Sequence, residues 1–190
     1  MDRLAATFGM SAIHGAFDGY LHRSLLWYRS SIDTKIKRIR YPKDRTVPSW
    51  SWMAYDGRIE YLQADYNRVE WNRGLRLEED VLKAEIRALQ AKKFKTKRFG
   101  EVLYYILDGD GATGDRGRLT LDTQNIIDIQ ALRCVIIGRE KAANDEWRYH
   151  VLLVLPTCSK GLGTCERVGV GTIPGRFISW HEEGVATEIL

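Results

Sequence analysis

Val151-Leu-Leu-Val-Leu155 is an apolar run with no polar interruption. It is too short for a stable helix and has no solvent-facing side, so it reads as a strand buried on both faces. Cys134–Ile137 has the same character, and Val102–Leu107 reads as a central strand. Leu119–Leu121 begins another strand and Glu166–Ile173 closes the series. Val81–Gln90 places Leu82, Ala84, Ile86 and Ala88 on one face and Lys83, Glu85 and Arg87 on the other, which fits a half-buried strand. A helix is the alternative there, because Leu, Ala, Glu and Lys all favour one.

Upstream, Trp50–Tyr55 and Arg58–Gln63 read as paired strands joined by Asp56-Gly57, a two-residue hairpin signal. Lys35–Tyr41 alternates charged residues with Ile36 and Ile39, and Pro42 and Pro48 break the chain. The N-terminus has helical spacing instead. Asp2 reads as an N-cap for a helix over 2–17, with Leu4, Ala5, Phe8, Ala12 and Ala16 on one face. A second helix over Tyr20–Tyr28 groups Leu21, Leu25 and Tyr28. Helices this short and apolar must dock on something. The expected fold is mainly β, a sandwich or barrel-like array of about eight to ten short strands, with a helical segment over 1–30 docking on a β-rich domain over 31–190. Asp108–Gly117, Gly138–Glu146 and Ser159–Thr164 are the expected loops.

A chain of 190 residues needs neither disulfide nor metal to fold. Its 44% hydrophobic and 28% charged residues exclude disorder as the default. The net charge of +4 falls short of a nucleic-acid-binding signature. Cys134, Cys158 and Cys165 cannot all pair, which points to a reducing compartment. Met1-Asp2-Arg3-Leu4-Ala5 lacks the apolar run of a signal peptide. No stretch of about 18 apolar residues offers a membrane span. The expected location is cytoplasmic.

Motifs for chemistry fail in detail. Asp108-Gly-Asp-Gly-Ala-Thr-Gly-Asp115 looks like a calcium loop, but Ala112, Thr113 and Leu119 occupy positions that should hold a ligand, a glycine and a bidentate acid. Gly161-Leu-Gly163 and Gly169-Val-Gly171 match no phosphate loop and read as a turn and as a strand in close contact with a neighbour. His14, His22, His150 and His181 are scattered, and Cys158 and Cys165 are too loosely spaced for a zinc site. Ser49, Ser51 and Cys134 lie in no nucleophile elbow. The sequence therefore assigns no catalytic residue, no metal and no cofactor.

Binding is the open possibility. Lys35, Lys37, Arg38, Arg40, Lys43 and Arg45 form one basic cluster. Lys92, Lys93, Lys95, Lys97 and Arg98, with Phe94 and Phe99 interleaved, form another. Such clusters neutralise phosphates, and aromatics among them stack on bases; a solvated loop or a charged edge strand is the simpler reading. In Pro48-Ser-Trp-Ser-Trp52, read as a strand, Trp50 and Trp52 share one face and make either a ligand platform or a core pair.

Pro48-Ser-Trp-Ser-Trp52 followed by Asp56-Gly57 resembles the region downstream of the HET domain in fungal heterokaryon-incompatibility proteins. Arg23-Ser-Leu-Leu-Trp27 is similar to the short helix before that tryptophan motif, and Met1–Ala16 to the small helix ahead of it. Val151–Leu155 and Glu166-Arg-Val-Gly-Val170 are similar to the two closing strands. The resemblance covers residues 1–61 and 147–173. In that family the HET domain itself, regarded as related to TIR-type domains, triggers cell death in non-self recognition. None of its motifs lies in this chain, so no catalytic residue carries over.

The resemblance implies an accessory or regulatory β-rich module with a protein partner, Trp27, Trp50 and Trp52 joining its helical segment to the β core. A stand-alone glycan- or nucleic-acid-binding domain using Trp50, Trp52 and Lys92–Arg98 is the alternative. A hydrolase with a site built from distant residues is the third.

Overall fold

The computed structural model describes residues 12–30, 36–42, 45–90, 95–99, 103–107, 115–122, 128–157 and 163–190, with the backbone alone for 95–99, 103–107, 115 and 116. Residues 2–11 of the helix expected over 2–17, and residues 108–114 of the calcium-like stretch over 108–115, lie outside them.

The chain enters through a hairpin of β1 (Ala12–Ile13) and β2 (Ala16–Phe17). A helix was expected across 12–17. His14 and Gly15 instead hold φ of 45° and 81°, which closes a two-residue turn that only glycine-like positions accept readily. The second helix is also shorter than expected: α1 spans Leu21–Leu25 and gives way to β3 (Trp27–Arg29). The carbonyls of Leu25 and Trp27, which a continuing helix would use internally, accept hydrogen bonds from Arg167.

Next come β4 (Lys37–Arg38), β5 (Tyr55–Asp56) and β6 (Ile59–Tyr61). The expected hairpin across Asp56-Gly57 is absent. β5 pairs with β4 and β6 pairs with β3, so the turn sends its two arms to different partners. Trp50–Tyr55 is not a continuous strand either. Trp52–Ala54 forms a 3-10 turn capped by Ser51, whose Oγ accepts from the Met53 N–H at 3.0 Å. The period-two argument for Trp50 and Trp52 does not apply there.

The remaining strands are β7 (Glu70–Trp71), β8 (Arg76–Glu78), β9 (Val81–Ala88), β10 (Lys95–Phe99), β11 (Leu103–Leu107), β12 (Asp115–Leu121), β13 (Arg133–Lys141), β14 (Trp147–Pro156), β15 (Thr164–Pro174) and β16 (Val185–Ile189). They build one ten-stranded sheet that contains a closed five-stranded barrel. β9, β13, β14 and β15 run as antiparallel neighbours, and β16 closes the ring against β9. An odd number of strands cannot alternate all the way round. One neighbouring pair must be parallel, and it is β15–β16, paired through Thr164–Cys165 and Glu188–Ile189.

Beyond that short contact the same edge of β15 is taken by β12, which carries β11 and β10 outward as a spur. Gly169 and Gly171 make this possible. A Cβ on Gly169 would collide with the Thr120 carbonyl, and one on Gly171 would lie 2.7 Å from the Arg118 carbonyl oxygen.

Val151–Leu155 explains itself in this setting. Leu152 and Val154 enter the core inside the ring, with Leu82, Ala84, Val135, Ile137, Val170 and Ile189. Val151 and Leu153 enter a second core outside it, with Leu119, Leu121, Cys134, Ile173 and Phe177. Ala16, Leu21, Leu25, Leu26 and Trp50 complete the inner core from the N-terminal side. Truncating Leu25, which has no exposed surface, is worth about 2–5 kcal/mol.

Candidate binding cleft

The fourth residue of β15 is Arg167, a charged residue with no exposed side-chain surface. Its guanidinium meets the equally buried Asp122 twice, Nε to Oδ2 at 2.8 Å and Nη2 to Oδ1 at 3.2 Å. Nη1 donates to the Leu25 carbonyl at 2.7 Å and Nη2 to that of Trp27, whose indole lies 3.4 Å from the guanidinium carbon. Its backbone N–H donates to Ser49 Oγ at 2.9 Å. Burial pushes the Asp122 carboxyl up from its ordinary range, and the guanidinium pulls it back down.

The tryptophan motif is stitched into the same place. Trp27 Nε1 donates to the Trp50 carbonyl at 2.9 Å, and Trp50 Nε1 to the Asp80 carbonyl at 3.2 Å. Ser49 Oγ donates to the Leu190 carbonyl, and Ser51 Oγ to that of His14 at 2.6 Å. Trp50 is 1% exposed and presents no face to a ligand. Trp52 is half-buried, with its indole N–H directed at the Gly15 carbonyl at 3.4 Å. Lys95, Lys97 and Arg98 fall on β10, the outermost strand of the spur. Lys92 and Lys93 lie outside the described residues. The structure therefore does not bring the two tryptophans and the basic cluster into one described site.

Histidines are dispersed as well. His14 meets Asp80 at 2.7 Å and His22 the Asn72 carbonyl at 2.6 Å. Among the described residues no three His, Cys, Asp or Glu side chains gather as a metal site. Nor is any described helix long and apolar enough to cross a membrane.

Two exposed aromatics, Tyr66 and Trp180, lie elsewhere, near the place where β13 changes partner. Through Arg133–Val135 it pairs with β9, and through Gly138–Arg139 with β7, with a register shift between Ile136 and Gly138. Asn72 bridges the fork, its side chain donating to the Ile136 carbonyl at 2.7 Å and its N–H to that of Ile137 at 3.0 Å. β7 and β9 diverge there and leave an open cleft of about 530 Å³.

Two aromatic stacks flank this cleft. On one side Trp71 lies against Tyr66 at 4.9 Å and His22 at 5.4 Å. On the other Trp180, 44% exposed, lies against Tyr149 at 5.2 Å with the Arg87 guanidinium over it at 5.1 Å. Charged pairs line the space between: Arg139 with Glu70 at 2.8 Å, and Arg87 with Glu85. The bond to Glu70 holds the Arg139 guanidinium above its ordinary value. An indole face beside planar hydrogen-bonding groups suits a ligand with apolar and hydroxyl faces, such as a sugar.

Comparison with known protein families, with curated proteins and with solved structures finds no match to this chain.

Sequence reasoning passed over Trp71, Trp180, Arg87, Arg139 and Arg167. The available signals were slight. Trp71 and Trp180 sit among polar neighbours, Glu70, Asn72, His181 and Glu182, where a core tryptophan is out of place. Arg167 interrupts an otherwise core-facing strand segment.

Proposed function

We propose that the chain is a non-catalytic recognition module of the kind that follows the HET domain in fungal heterokaryon-incompatibility proteins, acting inside the cell on a protein partner. One observation carries this reading. Three segments that resemble that family meet at a single residue: the Arg167 side chain of Glu166–Val170 donates to carbonyls of Arg23–Trp27, and its backbone N–H donates to the Ser49 hydroxyl of Pro48–Trp52. Motifs separated by more than a hundred residues in sequence thus form one contact, as parts of a common structural device do.

The test is a chimera. The chain replaces the region downstream of the HET domain in an incompatibility protein, and the fusion is expressed in a compatible fungal host. Cell death that is lost with Arg167→Met supports the reading. A stable, correctly expressed fusion that leaves the host growing normally, while the parent protein kills it, removes the reading.

A second reading, a glycan-binding domain, is favoured by the fork cleft with its half-exposed Trp180 beside Glu85 and Arg87. Glycan-array binding abolished by Trp180→Ala at unchanged melting temperature supports it. An array without signal removes it.

A further inference from the structure

A row of polar residues crosses four neighbouring strands at the rim of the barrel. On β14, Leu152 and Val154 enter the ring core, and His150 and Arg148 continue the same face beyond it. Across the ladder Glu140 of β13 stands opposite Arg148, Thr172 of β15 opposite His150, and Arg118 of β12 opposite Thr172. Tyr28 of the N-terminal segment lies over the row, 5.6 Å from the Arg118 guanidinium carbon to its ring centre. Together these residues line a cleft of about 380 Å³, separate from the fork.

The charges in this cleft do not balance. Among the described residues neither Arg118 nor Arg148 has a carboxylate within salt-bridge distance. Glu140 is turned toward His150 instead, Oε1 to Nε2 at 3.4 Å, too poorly aligned to bond, so the buried Nε2 has no hydrogen-bond partner. Thr172 Oγ1 stands 3.4 Å from Nδ1. Two guanidiniums outside any salt bridge, Arg118 with only the Glu60 carboxylate held by Tyr28 acting on it from farther away, stand beside a hydroxyl and form an anion site. Arg118 stands two strands across from His150, and Arg148 lies two residues farther along β14, a backbone separation of about 12 Å. That span suits an extended anion bridging both better than a single compact one.

We propose that this cleft binds the diphosphate group of a small molecule, Arg118 and Arg148 each taking one phosphate and Thr172 donating its hydroxyl between them. His150 sets the pH dependence. The charged and titratable groups facing it are Glu140, Arg148, Arg118 and Tyr28. Protonation of the imidazole adds a third positive charge, so affinity rises as pH falls.

Calorimetric titration of the whole chain with inorganic pyrophosphate tests this at low ionic strength. Saturable binding is expected, with orthophosphate and malonate weaker by about tenfold. Arg118→Gln and Arg148→Gln each weaken pyrophosphate by about tenfold at unchanged melting temperature. Glu140→Gln removes the one carboxylate in the row and tightens it. Trp180→Ala leaves it unchanged. Absence of saturable binding overturns the proposal. So does binding that is indifferent to both arginine variants, or that disappears when Lys92 and Lys93 are neutralised. Malonate binding as tightly as pyrophosphate overturns the assignment of a diphosphate.

Discussion

Arg167→Met isolates the contact on which the N-terminal segment depends. The change removes a buried positive charge and leaves three acceptors behind: the Asp122 carboxylate and the carbonyls of Leu25 and Trp27. Removing one member of a buried pair costs about 3–5 kcal/mol, chiefly through the charge left unpaired. Each orphaned carbonyl adds about 1–3 kcal/mol unless water reaches it. The expected loss is therefore at least about 4 kcal/mol, a large part of the 5–15 kcal/mol typical of a folded domain. Asp122→Leu alone strands the guanidinium and falls in the same 3–5 kcal/mol range, about the size for any buried charge left without its partner. The double variant Arg167→Met/Asp122→Leu removes both charges, so only the carbonyl terms persist. It is expected to be more stable than the sum of the single losses by about 2 kcal/mol or more. Urea unfolding followed by tryptophan fluorescence reads all three, and Trp27, packed on the guanidinium, reports the local change. Limited proteolysis checks where the damage falls, with cleavage appearing first near residues 26–30. Losses below about 1 kcal/mol for both single variants, or strict additivity in the double, refute the account of Arg167 as the clamp.

Other outcomes follow from the same contacts. Gly169→Ala pushes a methyl group into the Thr120 carbonyl, and either β12 lifts from β15 or the strand shifts; the expected loss is about 1–3 kcal/mol, read by urea unfolding. Burial holds the His150 imidazole below its ordinary 6.5, with Glu140 opposing. The folded state thus binds fewer protons than the unfolded one, so this contribution is complete above pH 6.5 and is lost as pH falls from there toward the lower folded value. His150→Asn should flatten that part of the stability curve, and an identical curve for variant and parent contradicts it. Burial pushes the Cys134 thiol up to about 12. Iodoacetamide at mildly alkaline pH should leave it unmodified in the native protein and label it after denaturation, as peptide mass spectrometry would show.

The strands were readable because burial is a local property of side chains. Val151–Leu155 has no polar residue, and both of its faces are covered. Leu82 and Ala84 alternate with Lys83 and Glu85, and only the first pair is buried. The candidate clefts were less readable. Trp180 and Arg139 become neighbours of one space only because β13 divides its edge between β7 and β9. Trp50 and Trp52 stood out by composition, yet local serine bonding and the 3-10 turn decided how they are used.

The sequence by itself determined that this is a mainly β protein and where its principal strands run, since alternation and apolar runs record which faces lose water. Only the tertiary structure decided that the strands close into a ring with one parallel pair, that Asp56-Gly57 parts its two arms instead of pairing them, and that Arg167 is core rather than surface. Each of those depends on partners far away in the chain: Arg167 meets Asp122, Ser49 and Leu25 across 45, 118 and 142 residues. A charged side chain carries no local mark of the partners that make its burial possible.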